Sequence, residues 1–112
     1  MLSVVALVAI CAGASQAMAA GTGTGKIRSG WYSYAPGGVI FFWLDGPNGH
    51  TGSPCKAIPD RWAIDTTTQD GKLAFSIFML AYATDRTVTV NGHDNVECIH
   101  GNTEQASEIF IS

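Results

Sequence analysis

Charge is scarce in this chain: only 13% of its 112 residues are Asp, Glu, Lys or Arg, six basic against nine acidic. The cations Lys26, Arg28, Lys56, Arg61, Lys72 and Arg86 are scattered singly along the sequence. Gripping a phosphate backbone needs several of them on one surface, so nucleic acid is not an expected partner. Histidine is scarcer still, with His50, His93 and His100 alone. The grouping His93-Asp94-x-x-Glu97-x-x-His100 has no recurrent zinc spacing, and a strand over 95–100 turns Glu97 and His100 to opposite faces. There is no Gly-x-Ser-x-Gly elbow, and the cysteines outside the leader are expected to be paired, which leaves no thiol nucleophile. The expectation is a chain with no catalytic residues, no metal and no cofactor.

A long unbroken apolar run is missing as well. Leu2 to Ile10 is almost wholly apolar, but Gly13, Ser15 and Gln16 interrupt the stretch beyond it, and a spanning helix needs about 20 apolar residues. Small residues lead to Ala17-Met18-Ala19, the pattern that export peptidases cut, here before Ala20 or Gly21. Residues 1–20 therefore read as a signal peptide, although no Lys or Arg precedes the apolar run. A lipidated Cys11 is the weaker alternative, because the apolar run before it is short. The expected destination is the periplasm or the medium, with no stable membrane span after cleavage.

Cysteine is the third scarcity. With Cys11 removed in the leader, Cys55 and Cys98 remain, and in an oxidising compartment they should form one disulfide, worth about 4 kcal/mol in the chain-entropy account. Free thiols or intermolecular bridging are the alternative. Residues 21–112 suffice for one small domain and are too few for two. There are no internal repeats, and Gly21-Thr22-Gly23-Thr24-Gly25 reads as a flexible arm.

The remainder is β-rich. Lys26 to Tyr34 carries the Trp and Tyr of a strand, Pro36-Gly37-Gly38 is a turn, and Val39 to Leu44 is continuously apolar. Period-two alternation sends Val39, Phe41 and Trp43 one way and Ile40, Phe42 and Leu44 the other, so both faces of that strand need cover. Asp45 to Pro54 is a loop by composition. Arg61–Thr66, Thr87–Asn91, Asn95–His100 and Ala106–Ile111 complete the strands, with Trp62 and Ile64 on one face and a surface ion pair expected between Arg61 and Asp65. Thr66 to Asp70 offers capping oxygens to one helix, expected from about Asp70 to Thr84. Leu73, Phe75, Ile77, Phe78, Leu80 and Tyr82 fill most of its circumference beside a stripe of Lys72, Ser76, Met79 and Ala83. A helix apolar on so many sides needs cover beyond its own sheet, which makes Phe75, Phe78, Met79, Leu80 and Tyr82 candidates for an interface in a homo-oligomer. Cover by the chain's own loops is the alternative.

Five or six short strands, one buried helix and one bridge suggest a small oligonucleotide/oligosaccharide-binding (OB-fold-like) barrel. The order Gly25-Lys26-Ile27, Val39-Ile40-Phe41-Phe42, Pro54-Cys55, Arg61-Trp62-Ala63-Ile64-Asp65, Gly71-Lys72 opening an Ala-rich helix, Val88-Thr89-Val90-Asn91-Gly92, Cys98 and a Glu104-to-Ile111 strand resembles the subtilase-cytotoxin B-subunit-like family, over nearly the whole of residues 21–112. The resemblance implies an OB fold, a ring of five subunits with the helices at its centre, a sialylated glycan as ligand and a catalytic A chain as partner. The first-strand serine that this family uses for sialic acid corresponds to Ser29; at the upstream acidic position this chain has Gly25 or a neighbouring Thr. Sugar sites also use aromatic platforms, for which Trp31, Tyr32, Tyr34 and Trp43 are candidates. Two functions stay open: a ring-forming glycan-binding module, or a stand-alone exported structural or inhibitory protein.

Overall fold

A computed structural model describes residues 20–34, 37–52, 55, 58–92, 98–99 and 103–112. The described chain is mainly β with one helix. Its elements in order are β1 (Thr22–Lys26), β2 (Tyr32–Tyr34), β3 (Val39–Phe42), β4 (Trp62–Asp65), α1 (Gln69–Ala83), β5 (Thr87–Asn91), β6 (Glu104–Gln105) and β7 (Glu108–Ile111).

The expectation from the sequence is one small OB-fold-like barrel; the strands form two sheets, β1-β5-β7 and β2-β3-β4-β6, and no closed barrel among the described residues. The sheets are separate because the single strand expected over Lys26–Tyr34 is broken. Gly30 takes φ +98°, in the left-handed region that glycine enters without penalty, and the chain turns there from one sheet to the other. Two short stretches stitch the sheets together. Ile27 bridges Leu44, flanked by Arg28 N–H to the Trp43 carbonyl at 2.9 Å and Asp45 N–H to the Lys26 carbonyl at 2.8 Å. At the other end Ala106 N–H donates to Ala63 and Ser107 N–H to Asn91, so the chain crosses between sheets from β6 to β7.

The segment read as a flexible arm is strand β1, paired antiparallel with β5 from Thr22↔Asn91 to Lys26↔Thr87. Threonine suits the pleat, and Gly23 and Gly25 are required by close approach: a Cβ on either would overlap the backbone carbonyl of Gly49 or Asp45. The 95–100 strand falls largely outside the described residues; Ile99 bridges Thr103.

The alternation in β3 holds. Ile40, Phe42 and Leu44 enter the main core with Trp62, Ile64, Phe78, Val88 and Val90, whereas Val39 and Phe41 join Ala63 in a second cluster on the opposite face. Helix α1 begins where Thr68 caps it, its side chain accepting from Gly71 N–H at 2.9 Å. Gly71, Ala74, Phe78 and Ala81 form the buried face. A Cβ at Gly71 would collide with the Asp65 carbonyl, so the helix start lies directly on the end of β4. Asp85, at φ 53°, ends the helix and accepts an exposed ion pair from Lys26 at 3.0 Å.

Cys55 and Cys98 are joined in a disulfide, with Cα atoms 5.6 Å apart. No helix among the described residues is long and apolar enough to cross a membrane.

Candidate functional site

Antiparallel register assembles an aromatic face on the second sheet. Tyr32 is opposite Phe41 and Tyr34 opposite Val39, and Phe41 is opposite Ala63, which is opposite Gln105. Residues in one such row share a face, so Tyr32 and Tyr34 stand beside the second cluster. Phe41 is its centre: Tyr32 lies 5.4 Å from it and Tyr34 6.2 Å, centroid to centroid, and Trp43 lies 6.2 Å from Tyr32. Phe41 is almost fully covered, whereas Tyr32 and Tyr34 are 40% and 50% exposed.

Arg61 completes the face. Its Cζ sits 3.9 Å above the centroid of the Phe41 ring, a cation–π contact worth about 0.5–2 kcal/mol. Its Nε donates to the Thr103 hydroxyl at 2.9 Å, Nη2 donates to the same oxygen, and Nη1 donates to the Tyr32 hydroxyl at 3.0 Å. This replaces the expected pairing with Asp65, whose Oδ1 instead accepts from the Thr67 amide and hydroxyl. The reason is geometric: one small residue, Ala63, separates Arg61 from Asp65 on their shared face, and the nearer Phe41 ring offers the guanidinium an apolar floor. Trp43 is half-buried and anchored by its indole N–H to the Pro59 carbonyl at 3.2 Å. The face therefore combines fixed rings, a fixed positive charge and two phenol edges in water.

Of the five residues expected at a sugar site, Tyr32, Tyr34 and Trp43 come together here. Trp31 points to the other side, with edge-on contacts to Phe78 at 5.0 Å, Tyr82 at 5.6 Å and Phe75 at 6.3 Å; it fastens α1 to the sheet. Ser29 is exposed in the turn between β1 and β2 and makes no described contact with the aromatic face. Phe41, Arg61 and Thr103 are additions that the sequence does not single out. Alternation groups Phe41 with Trp43 and Arg61 with Ala63, but nothing local places Thr103 there.

The helix residues expected at an interface divide. Phe78 is wholly buried in the chain's own core, Phe75 is half-buried, and Met79, Leu80 and Tyr82 are exposed. Leu73 and Ile77, which share a stripe with Leu80, are also exposed.

A second polar group lies inside the molecule. His50 and Glu104 are both buried, with Nε2 to Oε1 at 3.1 Å. The imidazole packs 4.2 Å from the Trp62 ring, and the Trp62 indole N–H donates to the Gly49 carbonyl at 2.8 Å. The other Glu104 oxygen accepts from the buried Gly21 amide at 2.6 Å. Gly92 is pressed against this carboxylate, where a Cβ would overlap it. The sequence offers His50 only as one of three scattered histidines and gives no sign of its partner Glu104. Among the described residues no three His, Cys, Asp or Glu side chains gather to hold a metal; His93, Asp94, Glu97 and His100 lie outside them.

Compared with known proteins, the chain matches no family model, no curated protein and no solved structure.

Proposed function

We propose that this protein is an exported, non-catalytic binding module that presents the Tyr32–Tyr34–Trp43 face to a glycan. One observation carries the reading: two exposed phenol rings beside Phe41, a tryptophan next to one of them and a guanidinium over the Phe41 ring share one face. A sugar ring offers an apolar C–H face and a rim of hydroxyls. Aromatic rings take the first, and phenol and guanidinium groups take the second. Because Arg61 and Trp43 are already fixed by hydrogen bonds, binding costs little side-chain ordering.

The strand order supports an opened OB-type barrel. If β1 with β2 and β6 with β7 are halves of two bent strands, the circuit runs β1/β2-β3-β4-β6/β7-β5 and returns to β1, with β4 and β6 parallel. The outward stripe of α1, in which Leu73 is 59% and Leu80 54% exposed, favours a homo-oligomer that covers it. A ring of five subunits and a catalytic A chain are what the resemblance to the toxin B subunits adds to this reading.

The test is retention on immobilised glycans. The wild-type protein is expected to be held on at least one glycan class, and Tyr34→Ala is expected to weaken retention about tenfold or more, the scale of losing one aromatic anchor, with unchanged circular dichroism. A wild-type protein that passes every glycan unretained returns the assignment to a stand-alone exported structural or inhibitory protein.

A further inference from the structure

We propose that Glu104 is the internal acceptor for an α-ammonium group created at Gly21 when the leader is removed. The Gly21 nitrogen lies 2.6 Å from Oε2 of Glu104, inside the protein. Gly92 closes over the same carboxylate and donates its amide to the Gly21 carbonyl at 3.0 Å, so residue 21 is gripped on both sides. The peptide bond before Gly21 follows Ala17-Met18-Ala19-Ala20, where the export pattern admits a cut before Ala20 or Gly21, and the buried seat of the Gly21 nitrogen at Glu104 selects the second. Hydrolysis there adds one water across the Ala20–Gly21 bond. The leader leaves with a new carboxylate, and Gly21 keeps an amine that takes up a proton.

The nitrogen that donates as an amide then becomes a cation at the same place. A buried carboxylate is costly unless a charge or strong donors compensate it, and a charged donor makes roughly twice as strong a hydrogen bond as a neutral one. His50 faces the other oxygen at 3.1 Å, so the carboxylate would be held between the chain's new beginning and the loop after β3. Processing thus completes the domain instead of merely releasing it.

The inference rests on the export reading, and the experiment separates the two. The full chain is expressed in a bacterium with an export pathway, recovered from outside the cytoplasm, and its first residue is read by intact mass. The α-amine is then titrated with a limiting amine-reactive anhydride near neutral pH, in folded and in denatured protein. An α-amine with an ordinary pKa of about 7.7–8.0 labels before lysines at about 10.4. The expected result is a chain beginning at Gly21 whose α-amine labels at least tenfold more slowly when folded, and whose Glu104→Gln variant loses that protection. Glu104→Asp, which keeps the charge but withdraws it by one methylene, serves where Glu104→Gln does not fold, and it too should label faster than wild type. A chain found only in the cytoplasm with its leader intact overturns both the inference and the export reading, and a chain outside it that keeps its leader overturns the inference alone. A start at Ala20 or elsewhere, equal labelling of folded and denatured chains, or a folded variant that stays fully protected overturns the inference alone.

Discussion

The two faces of β3 are buried by different means. On one side Ile40 and Phe42 meet a whole element, α1, through Phe78, whose ring lies 4.9 Å from that of Phe42. On the other side no helix among the described residues covers Val39 and Phe41; single side chains do so, as Tyr32, Tyr34, Arg61 and Ile99 pack on this cluster. Cover by an element removes everything from water. Cover by amphipathic side chains hides the apolar floor while leaving polar tips outside, and so turns a packing problem into a recognition surface.

That contrast can be tested directly. Phe78→Ala opens a cavity under the helix and should cost about 3–5 kcal/mol, read as a lower midpoint in urea unfolding; a shift much below this would mean that the helix side is not the main core. Arg61→Ala on the other face should cost only about 1–2 kcal/mol, the scale of the cation–π contact alone, because water replaces most of the half-buried guanidinium's hydrogen bonds, and should lower glycan retention. Arg61→Lys, lacking the planar fork, should rescue stability only in part. The smallest thermodynamic effect belongs to Leu80→Asp. An exposed site away from packed features changes stability by about 0.5 kcal/mol or less, so this variant should fold as a monomer. Native mass spectrometry of wild type and variant checks it: a folded variant with the wild-type oligomeric mass removes the helix stripe from any interface.

Much of this architecture is legible because it is written locally. Six apolar residues in a row from Val39 to Leu44 can satisfy period-two alternation only by burying both faces, and they do. The helix announces itself by the capping oxygens of Thr66 to Asp70 and its breaker-free run, and the bridge is expected from two cysteines in a chain whose sequence reads as exported. Three features escape for one physical reason, that their partners are far away in sequence. The Gly-Thr arm becomes a strand because β5 pairs with it on one side and Asn48 and Thr51 bond it on the other. Arg61 is directed by Thr103, 42 residues distant, and Glu104 is solvated by Gly21, 83 residues distant. The break at Gly30 escapes differently, since a strand-like composition hides a left-handed turn.

The pairing of β1 with β5 has a kinetic side. The strand nearest the start of the domain finds its partner only after β2, β3, β4 and α1 have been made, and contacts of such sequence separation are slow to form because long loops must close first. During that wait residues 44–51 can bond one side of β1, but the side that will meet β5 is an open edge, the usual starting point of aggregation. Its sequence, Thr-Gly-Thr-Gly-Lys, is poor in the apolar side chains that steric zippers require. The composition that disguises it as a flexible arm also lets that edge stay open without harm until β5 arrives.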